Sequence, residues 1–567
     1  MLDQLDPALA TGLLLEDGEG LRVRFGHALT RETLLSELTP ARRRRLHAQV
    51  AAALTGTAGP ELAHHLLEAV PLGDPARAVE AARAQARLAT RRLAYDEAAR
   101  WCTRALAVLA HLPEADPHRR HELLLARADA SFHAAQVPSA RRDLVEAMLA
   151  AGDDLDALAE AAAALSATGG VWTWVDLAEV PRETLTAFDE VLARLRGHDS
   201  EAAVRLLGLV ATGHYYDPDA RELTDALSTE AVAMARRLGD PRLLADALLD
   251  RGFALRLPDH PDLVVQLADE VLALPGLTAV QRMIAHGRRY YGLLHLGDLV
   301  EAEAACLRAR DLADAERLRG AQLQMASFPI GMAAARGRFD EAEELSARTW
   351  QVVHASEMPI ASLGLLGVAA ATALYRGRIP ELVPALREAV AHTQLKAMYH
   401  DLAIGLATSG DHGGAVQYWR ESLTAPTAPW MEVIDAAVET EVLEALAPPS
   451  SPLAASAEVR EARQRLLAVL APRADAVAAA GTAFAWCPVA VPLGVLHLRL
   501  GHLADAEAHL RAGLARSRGW GTHVWTARAA RYLADVLDAR APGSAEGASL
   551  RAEAHELAEA LGIVLPG

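Results

Sequence analysis

LGDLVEAEAACLRA, residues Leu296–Ala309, is the stretch of sequence that decides the fold. Gly297 and Asp298 are residues that end one helix and begin the next. Three small residues then follow at the spacing i, i+4 and i+7: Ala302, Cys306 and Ala309. This spacing places the small residues on one helical face, where they allow a neighbouring helix to approach closely. The stretch therefore predicts two closely packed helices joined by a short turn.

The same arrangement returns in four further stretches of the chain. They are Gly337–Ala347 (GRFDEAEELSA), Gly501–Ala512 (GHLADAEAHLRA), Gly410–Ser422 (GDHGGAVQYWRES) and Leu93–Ala105 (LAYDEAARWCTRA). The stretches from Leu296 onward follow one another at intervals of about 40 residues or about twice that, which is the period of a helix-pair repeat. The sequence therefore predicts an array of repeated helix pairs.

The second-helix signature of these copies resembles that of the tetratricopeptide repeat. It consists of glycine, an aromatic residue or leucine, then alanine, a larger residue and alanine. No single copy carries the family's full consensus, which includes an early tryptophan and a final proline. The resemblance implies an all-α fold, a tetratricopeptide-like helix-pair solenoid in which each unit contacts mainly its neighbours. Composition agrees, because 51% of the residues are hydrophobic but only 4% are aromatic.

Cysteine spacing, hydropathy and net charge limit the cellular compartment and the partners that we expect for the protein. The three cysteines are far apart, without metal-binding spacing, so we expect a reduced, cytoplasmic interior. No apolar run approaches the roughly 18 residues of a membrane span, and the N-terminal MLDQLDPALA has no basic region. The net charge of −18 argues against nonspecific binding to nucleic acid or to an anionic membrane. We expect a cytoplasmic protein that does not enter the membrane.

The first 56 residues differ from the rest of the chain. A helical stretch precedes two strand-like runs, which flank the turn sequence Asp17–Gly20 and predict a β-hairpin. Two helical segments follow, Ala28–Leu38 and Pro40–Leu54, and Thr39 is placed to cap the second. This order of elements is typical of the end of a winged-helix domain. We therefore interpret residues 1–56 as a small winged-helix-like segment.

The remainder of the chain divides into three further segments by composition. The repeat array is predicted to occupy residues 57–446. Residues 447–457 are rich in proline and serine, which indicates a linker or a long loop. Residues 458–567 form a C-terminal block in the same repeat style.

A second resemblance lies at the junction between the first segment and the array. The run RVRFGHALTRETLLSELTPARRRRLHAQVAAAL at Arg22–Leu54, followed by ELAHHLLEA at Glu61–Ala69, is similar to the junction in bacterial STAND proteins. These include the large ATP-binding LuxR-type transcriptional regulators. In that family a P-loop ATPase and a winged-helix domain precede a tetratricopeptide-like array. The resemblance implies a sensing or protein-interaction array of a transcriptional regulator.

The ATPase part of that family has no counterpart in this sequence. No GxxxxGK[ST] phosphate loop occurs, and the only lysine, Lys396, has no glycine near it. We therefore expect no cofactor in this chain, and ATP or ADP only where an ATPase domain stands upstream. In that setting the resemblance makes His27, in FGHALTRE, a contact to the nucleotide phosphates. For the chain alone we interpret His27 as a helix-capping or packing residue.

Two polar motifs have simpler interpretations than a binding site. Arg42–Arg45 could contact phosphate, but four consecutive residues point around more than one helical turn and form no single face. Residues 1–56 also carry seven acidic residues and seven arginines, so the segment is locally neutral. Glu61 and His64 have the spacing of a metal-binding ExxH motif, but no matching motif exists to face them. The sequence predicts no metal site.

Paired aromatic residues are the best candidates for a binding surface in a chain so poor in aromatics. They are Trp172, Trp174, Tyr215, Tyr216, Tyr290 and Tyr291. On the concave side of the solenoid they would anchor a protein partner or a small-molecule inducer, since aromatic side chains dominate interface energetics. The alternative interpretation is ordinary packing between helices.

No catalytic constellation is present, so a non-enzymatic function is predicted. The leading hypothesis is a protein-interaction or ligand-sensing repeat domain of a STAND/LuxR-type transcriptional regulator. One alternative is a free-standing tetratricopeptide scaffold that binds a protein partner without a transcriptional role, and self-association is a further option. Another alternative is DNA binding through residues 1–56, against which the acidic net charge weighs.

Overall fold

The computed structural model describes residues 5–16, 23–54, 59–110, 117–168, 174–175, 179–195, 197–255, 259–353, 359–393, 395–425, 427, 429–480 and 484–566. The chain packs as two compact units, residues 1–131 and 132–567. Both units are built almost entirely from α-helices that pack on their sequence neighbours. The predicted all-α fold of tetratricopeptide-like helix pairs is confirmed.

The first unit opens with a short helix and a β-hairpin. Its elements are α1 (Asp6–Ala10), β1 (Leu14–Glu16), β2 (Val23–Phe25), α2 (Ala28–Ser36), α3 (Pro40–Ala53), α4 (Pro60–Glu68), α5 (Pro75–Arg91), α6 (Tyr95–Leu109) and α7 (Pro117–His133), which ends just past the unit boundary. β1 and β2 pair antiparallel, with Leu14 opposite Phe25. Thr39 caps α3 as predicted, since its hydroxyl accepts the N–H of Arg42. The predicted turn Asp17–Gly20 lies outside the described residues.

The second unit is a succession of helices interrupted by one hairpin. Its elements are α8 (Val137–Ala151), α9 (Leu155–Ala167), α10 (Arg182–Leu195), α11 (Glu201–Gly213), α12 (Arg221–Leu238), α13 (Pro241–Ala254), α14 (Pro261–Ala273), α15 (Ala279–His295), α16 (Leu299–Ala315), α17 (Arg319–Ala335), α18 (Phe339–Val353), α19 (Pro359–Tyr375), α20 (Val383–His392), α21 (Lys396–Thr408), α22 (His412–Ser422), α23 (Glu432–Leu446), α24 (Ala457–Leu470), β3 (Val477–Ala480), β4 (Phe484–Pro488), α25 (Ala490–Leu500), α26 (Leu503–Gly519), α27 (His523–Arg540) and α28 (Ala545–Leu561). Across the described parts of both units, no helix is long and apolar enough to cross a bilayer.

The turn at Gly297 shows why the repeat signature produces a helix pair. Gly297 adopts a left-handed backbone with φ +79°, which ends α15. The Asp298 carboxylate accepts the N–H of Glu301 at 3.0 Å and so caps α16. The three small residues of α16, at positions 302, 306 and 309, are all buried. The helix pair predicted from this stretch is therefore confirmed at its turn, its cap and its packed face.

The proline- and serine-rich segment 447–457 is a packed turn between α23 and α24. It contains the short 3₁₀ helix Pro452–Ala455, and Ser456 caps α24. The Arg463 guanidinium, on α24, donates to the backbone oxygen of Ala447 at 3.4 Å. The boundary between compact units falls instead after residue 131. The division of the chain into four segments stays a prediction.

The β3–β4 hairpin was not predicted from the sequence. Its strands pair antiparallel, with Val477 opposite Pro488 and a register shift between Ala478 and Ala479. All four residues of β3 are buried. Alanine favours a helix when considered locally, and burial between helices overrides that preference here. The C-terminal block therefore differs from a simple succession of helix pairs.

Two glycines with similar backbones provide a test of this packing. A side chain at Gly297 would overlap the backbone oxygen of Asp475, whereas nothing lies within 4 Å of an added Cβ at Gly410, whose φ is +87°. Both Gly→Ala changes incur left-handed strain of about 1–2 kcal/mol. We expect G297A to lower the thermal midpoint clearly more than G410A, because only G297A also disturbs the contact with Asp475. Equal shifts in thermal denaturation would contradict close packing at Asp475.

Candidate functional site

The β3–β4 hairpin lies in the interior of the second unit. β3 contacts α15 and α23, and β4 contacts α17, α19, α25 and α26. The Tyr375 hydroxyl, at the end of α19, donates to the backbone oxygen of Trp486 at 3.2 Å and accepts the indole N–H of Trp525 at 3.3 Å. The rings of Tyr375 and Trp486 also stack, with centroids 5.7 Å apart. The hairpin is thus held between helices that are distant in sequence.

Residues from the early and late helices of this unit meet directly. The Trp430 indole donates to the Tyr216 hydroxyl at 3.3 Å, and Arg473 donates to the Asp259 carboxylate at 3.2 Å. α23 is covered on all sides over the stretch Val433–Thr440, in which every residue is buried.

An interior cavity lies between α17, α19, α21, α23 and the hairpin. It offers about 70 Å³ to the centre of a water-sized sphere, and one water needs roughly 10–15 Å³ by this measure. Its wall is mainly aliphatic and aromatic, and includes Leu323, Leu363, Met398, Trp430, Ile434 and Trp486. The space can therefore hold several waters or a small organic group.

Two carboxyl groups interrupt the apolar wall of the interior cavity. Asp401 on α21 is 8% exposed and Asp435 on α23 is 4% exposed. Burial raises the pKa of Asp435 to about 8, with Lys396 opposing and Glu439 adding to the shift. Burial, followed by the charge of Asp435, holds the pKa of Asp401 well above its usual range. At neutral pH Asp435 is mainly protonated, and a protonated carboxyl can donate a hydrogen bond to a ligand.

One oxygen of Asp435 has no hydrogen-bond partner in the described part of the chain. One helical turn further along α23, Glu439 is satisfied instead. Its carboxylate accepts the Trp419 indole N–H at 3.1 Å and is also bound by Arg465. Burial would raise the pKa of Glu439, but the nearby His400 and Arg465 lower it overall. The unsatisfied oxygen of Asp435 is therefore the polar atom that a ligand in the cavity could bind.

A second pocket, the arginine–aspartate pocket, lies between α9, α11, α13 and α15. It is lined by Trp174, Arg205, Arg242, Asp246, Asp250 and Arg288, among others. Burial, then the charge of Asp246, raises the pKa of Asp250 to about 7, and the Ser166 hydroxyl donates to Asp250 at 3.0 Å. Burial lowers the pKa of Arg288 to about 10, and its guanidinium lies 4.5 Å from the centre of the Phe253 ring. This pocket presents charges of both signs.

Several of the predicted aromatic residues gather near the arginine–aspartate pocket. Trp174 lines it, and its indole donates to the backbone oxygen of Leu209 and to the Thr212 hydroxyl, both at 3.1 Å. Tyr215 packs against Phe253, with ring centroids 4.2 Å apart, and Tyr216 lies 5.0 Å from Tyr215. The structure thus brings these three predicted residues into one region.

The other three predicted aromatic residues are not grouped with Trp174, Tyr215 and Tyr216. Tyr291 is buried and lies within electrostatic range of Tyr215 and Arg288, whereas Tyr290 is buried against Phe328 at 4.9 Å on α17. Trp172 lies outside the described residues. Burial shows that most of these aromatics take part in helix packing, and their role in binding a partner stays a prediction.

His27 stands at the start of α2, with its side chain exposed. Its Nδ1 accepts the N–H of Leu29 at 3.3 Å, which is a helix cap. This position agrees with the capping interpretation. Contact between His27 and a nucleotide stays a prediction.

Asp401 and Asp435 were missed by sequence reasoning, although a weak signal existed. Asp401 is followed by the apolar run Leu402–Ala407 (LAIGLA), whereas α23 also carries Glu432, Glu439 and Glu441 and gives no comparable signal for Asp435. A stretch that is apolar all round indicates a buried helix, so an acid beside it is a candidate for burial. Their convergence on one cavity depends on tertiary packing and could not be predicted.

The fold and its interior define a class, the tetratricopeptide-like helical solenoids. The chain matches no protein-family model and no curated protein. Among solved structures it is similar to the APC/C hetero-tetramer Cut9–Hcn1, with 14% identity, a TM-score of 0.37 and coverage of 93% of this chain and 99% of that chain. It is also similar to yeast Tom70, with 12% identity, a TM-score of 0.23 and coverage of 84% and 99%. Likeness at this level carries no conclusion about partners, and the class rests on the helix packing itself.

The raised pKa of Asp435 predicts a pH-dependent stability. The folded protein holds this proton to about pH 8, whereas an unfolded Asp releases it near pH 3.9. The contribution of Asp435 to the free energy of unfolding is therefore fully present below about pH 4 and is lost as the pH rises towards 8. The loss is at most about 1.4 kcal/mol per pH unit. We expect D435N, which resembles the neutral acid, to lose less stability over this range than the wild type.

The measurement is the thermal midpoint of both proteins from pH 5 to about pH 8. D311N, at an exposed position on α16, is the matched control and should follow the wild type. A D435N profile parallel to the wild-type profile would show that Asp435 ionises normally.

Proposed function

We propose that this chain is a non-enzymatic protein-interaction and sensing array that works with the ATPase part of a STAND/LuxR-type transcriptional regulator. The proposal has two parts, a protein contact made by the first unit and a ligand site inside the second. The first part carries the assignment, and it rests on one feature of residues 5–54.

That feature is a group of exposed apolar side chains. No residue of α1, β1, β2 or α2 is buried. The exposed apolar side chains here are Leu13, Leu15, Val23, Phe25, Leu29, Leu34, Leu35, Leu46 and Val50. A two-stranded hairpin is marginally stable alone, and apolar surface gains about 25 cal/mol per Å² when it is covered. So many exposed apolar side chains within one short segment favour a protein partner.

The chemistry of the segment supports a protein domain as the occupant. Residues 1–56 contain as many acidic residues as arginines, and the chain as a whole is acidic. Nucleic-acid binding depends on an excess of positive charge, so this segment is better suited to an apolar protein surface. The resemblance of Arg22–Leu54 to the STAND junction supplies the partner, the nucleotide-binding part of such a regulator. In that complex the exposed His27 is a candidate contact to the nucleotide.

The experiment begins with the DNA upstream of the Met1 codon and in the neighbouring genes, read for a segment with a Walker A sequence. The encoded ATPase protein is mixed with the chain, and affinity is measured by calorimetry. We expect the double change F25S/L29S to weaken binding at least tenfold, because interface anchors each contribute more than about 1 kcal/mol.

L307S is the matched control, since Leu307 is 39% exposed on α16 and Phe25 is 38% exposed. It should leave the affinity unchanged. Absence of wild-type binding, or equal weakening by L307S, would contradict the proposal. Light scattering that shows a wild-type dimer dispersed by F25S/L29S would instead identify a second copy of the chain as the occupant.

The unsatisfied oxygen of Asp435 favours a second activity, the sensing of a small ligand in the interior cavity. The cavity combines an apolar wall with the protonated carboxyl of Asp435, so it suits a small, largely apolar molecule that carries a hydrogen-bond acceptor. Binding would act on the hairpin, which joins early and late helices of the unit. Attached domains would respond only if the ligand favours one arrangement over another.

A fragment screen by thermal shift tests this second activity. Compounds that raise the wild-type midpoint but not that of D435N support it. A screen in which every stabilising compound acts equally on both proteins places the ligand site elsewhere.

A further inference from the structure

We propose that His497, His502 and Asp505 form a binding site for a divalent transition-metal ion, Zn²⁺ in the first instance. The site lies at the turn between α25 and α26 in the second unit. It does not depend on the function proposed above, and the sequence predicted no metal site anywhere in the chain.

The three side chains converge from different parts of the turn. His497 is in the last turn of α25, His502 directly precedes α26, and Asp505 is in the first turn of α26. Their candidate ligand atoms all lie within 4.8 Å of one another. Gly501, with φ +83°, reverses the chain between the helices and so brings His502 back towards His497.

The distances fit tetrahedral coordination. The two Nδ1 atoms of His497 and His502 are 3.3 Å apart, and an Asp505 carboxylate oxygen lies 4.0 Å from Nδ1 of His497. Zn–N bonds of about 2.0–2.1 Å place two ligands of a tetrahedron about 3.3 Å apart. The nitrogen pair already has this separation, and the Asp505 carboxylate is exposed, so its side chain can rotate towards the two nitrogens.

The donor set selects the kind of ion. Two imidazoles and one carboxylate suit Zn²⁺, Ni²⁺ or Co²⁺, whereas Mg²⁺ and Ca²⁺ prefer oxygen ligands throughout. His509, two turns further along α26 than His502, stacks parallel on His497 with ring centroids 5.4 Å apart. This contact restricts the orientation of the His497 ring, as outer partners of metal ligands commonly do. Three protein ligands leave the fourth position to water.

A second histidine cluster in the described part of the chain is less suitable. The Nδ1 atoms of His47 and His65 are 2.8 Å apart, which is closer than two ligands of a tetrahedral Zn²⁺ stand, and His64 is their neighbour. The guanidinium of Arg104 donates to Nδ1 of His64 at 3.0 Å. This positive charge opposes a divalent cation. Asp505 instead supplies negative charge at the α25–α26 turn, so the metal is assigned there.

Metal binding at the α25–α26 turn would also affect the buried strand β4. α25 and α26 both contact β4, and an ion that joins the end of α25 to the start of α26 restricts their relative movement. An ion that binds only the folded protein also stabilises it by mass action. We therefore expect Zn²⁺ to raise the thermal midpoint of the protein.

The experiment uses the full-length chain without an affinity tag, treated with chelator and titrated with Co²⁺ and then with Zn²⁺. The visible absorption of Co²⁺ reports tetrahedral coordination, and calorimetry gives the affinity and stoichiometry for Zn²⁺. We expect a single equivalent of Co²⁺ with tetrahedral absorption, displaced by Zn²⁺. H502A and D505N should each weaken Zn²⁺ binding at least tenfold, since each change removes a ligand.

H523A is the matched control, because His523 is exposed at the start of α27 and is outside both clusters. It should bind as the wild type does. The proposal is overturned if no tetrahedral Co²⁺ spectrum appears, or if H502A and D505N bind as tightly as H523A. Loss of binding in H65A with unchanged binding in H502A would also overturn it, because the ion would then occupy the other cluster.

Discussion

The two hydrogen bonds of the Tyr375 hydroxyl group fix the β3–β4 hairpin in the interior of the second unit. The hydroxyl links the end of α19 to the backbone of β4 and to the indole of Trp525, so one side chain joins three parts of the chain that are far apart in sequence. Burial raises the pKa of Tyr375, which keeps the phenol protonated and able to donate. Hydrogen bonds between buried groups are stronger than in water, and leaving one partner unpaired is costly. The position of the hairpin is therefore fixed by directional hydrogen bonds as well as by apolar contacts.

As a consequence of this arrangement, the inner helices of the second unit are buried. In an open solenoid the inner helices border on a water-filled groove, whereas here the hairpin and the late helices cover them. Acidic residues on those helices consequently lose water, and their charged forms become unfavourable. Asp435 and Glu439, one turn apart on α23, show the two outcomes. Glu439 remains charged because Arg465 and Trp419 bind it, while Asp435 keeps its proton and an unsatisfied oxygen.

The periodic part of this structure could be predicted from sequence, because its causes are local. A glycine that accepts positive φ, a capping aspartate and small residues at helical spacing lie within fifteen residues at Leu296–Ala309, and all three behave as predicted. The hairpin, the interior cavity and the His497–His502–Asp505 cluster depend on contacts that local patterns do not encode. VAAA at β3 has no strand signal of its own, and the approach of His502 to His497 depends on the turn at Gly501. For the aromatic pairs, packing between helices was one of the two interpretations, and their role in binding a partner stays a prediction.

The two units differ in how completely they cover their own apolar side chains, and the proposed function depends on this difference. The second unit encloses its hairpin and contains the interior cavity beside it. The first unit leaves side chains such as Phe25 and Leu29 exposed on elements too small to be stable alone. A scaffold that acted only through an open groove would show the opposite distribution, with exposed aromatic residues on its inner helices. The function proposed above, a protein contact at the first unit and a small ligand inside the second, rests on this distribution.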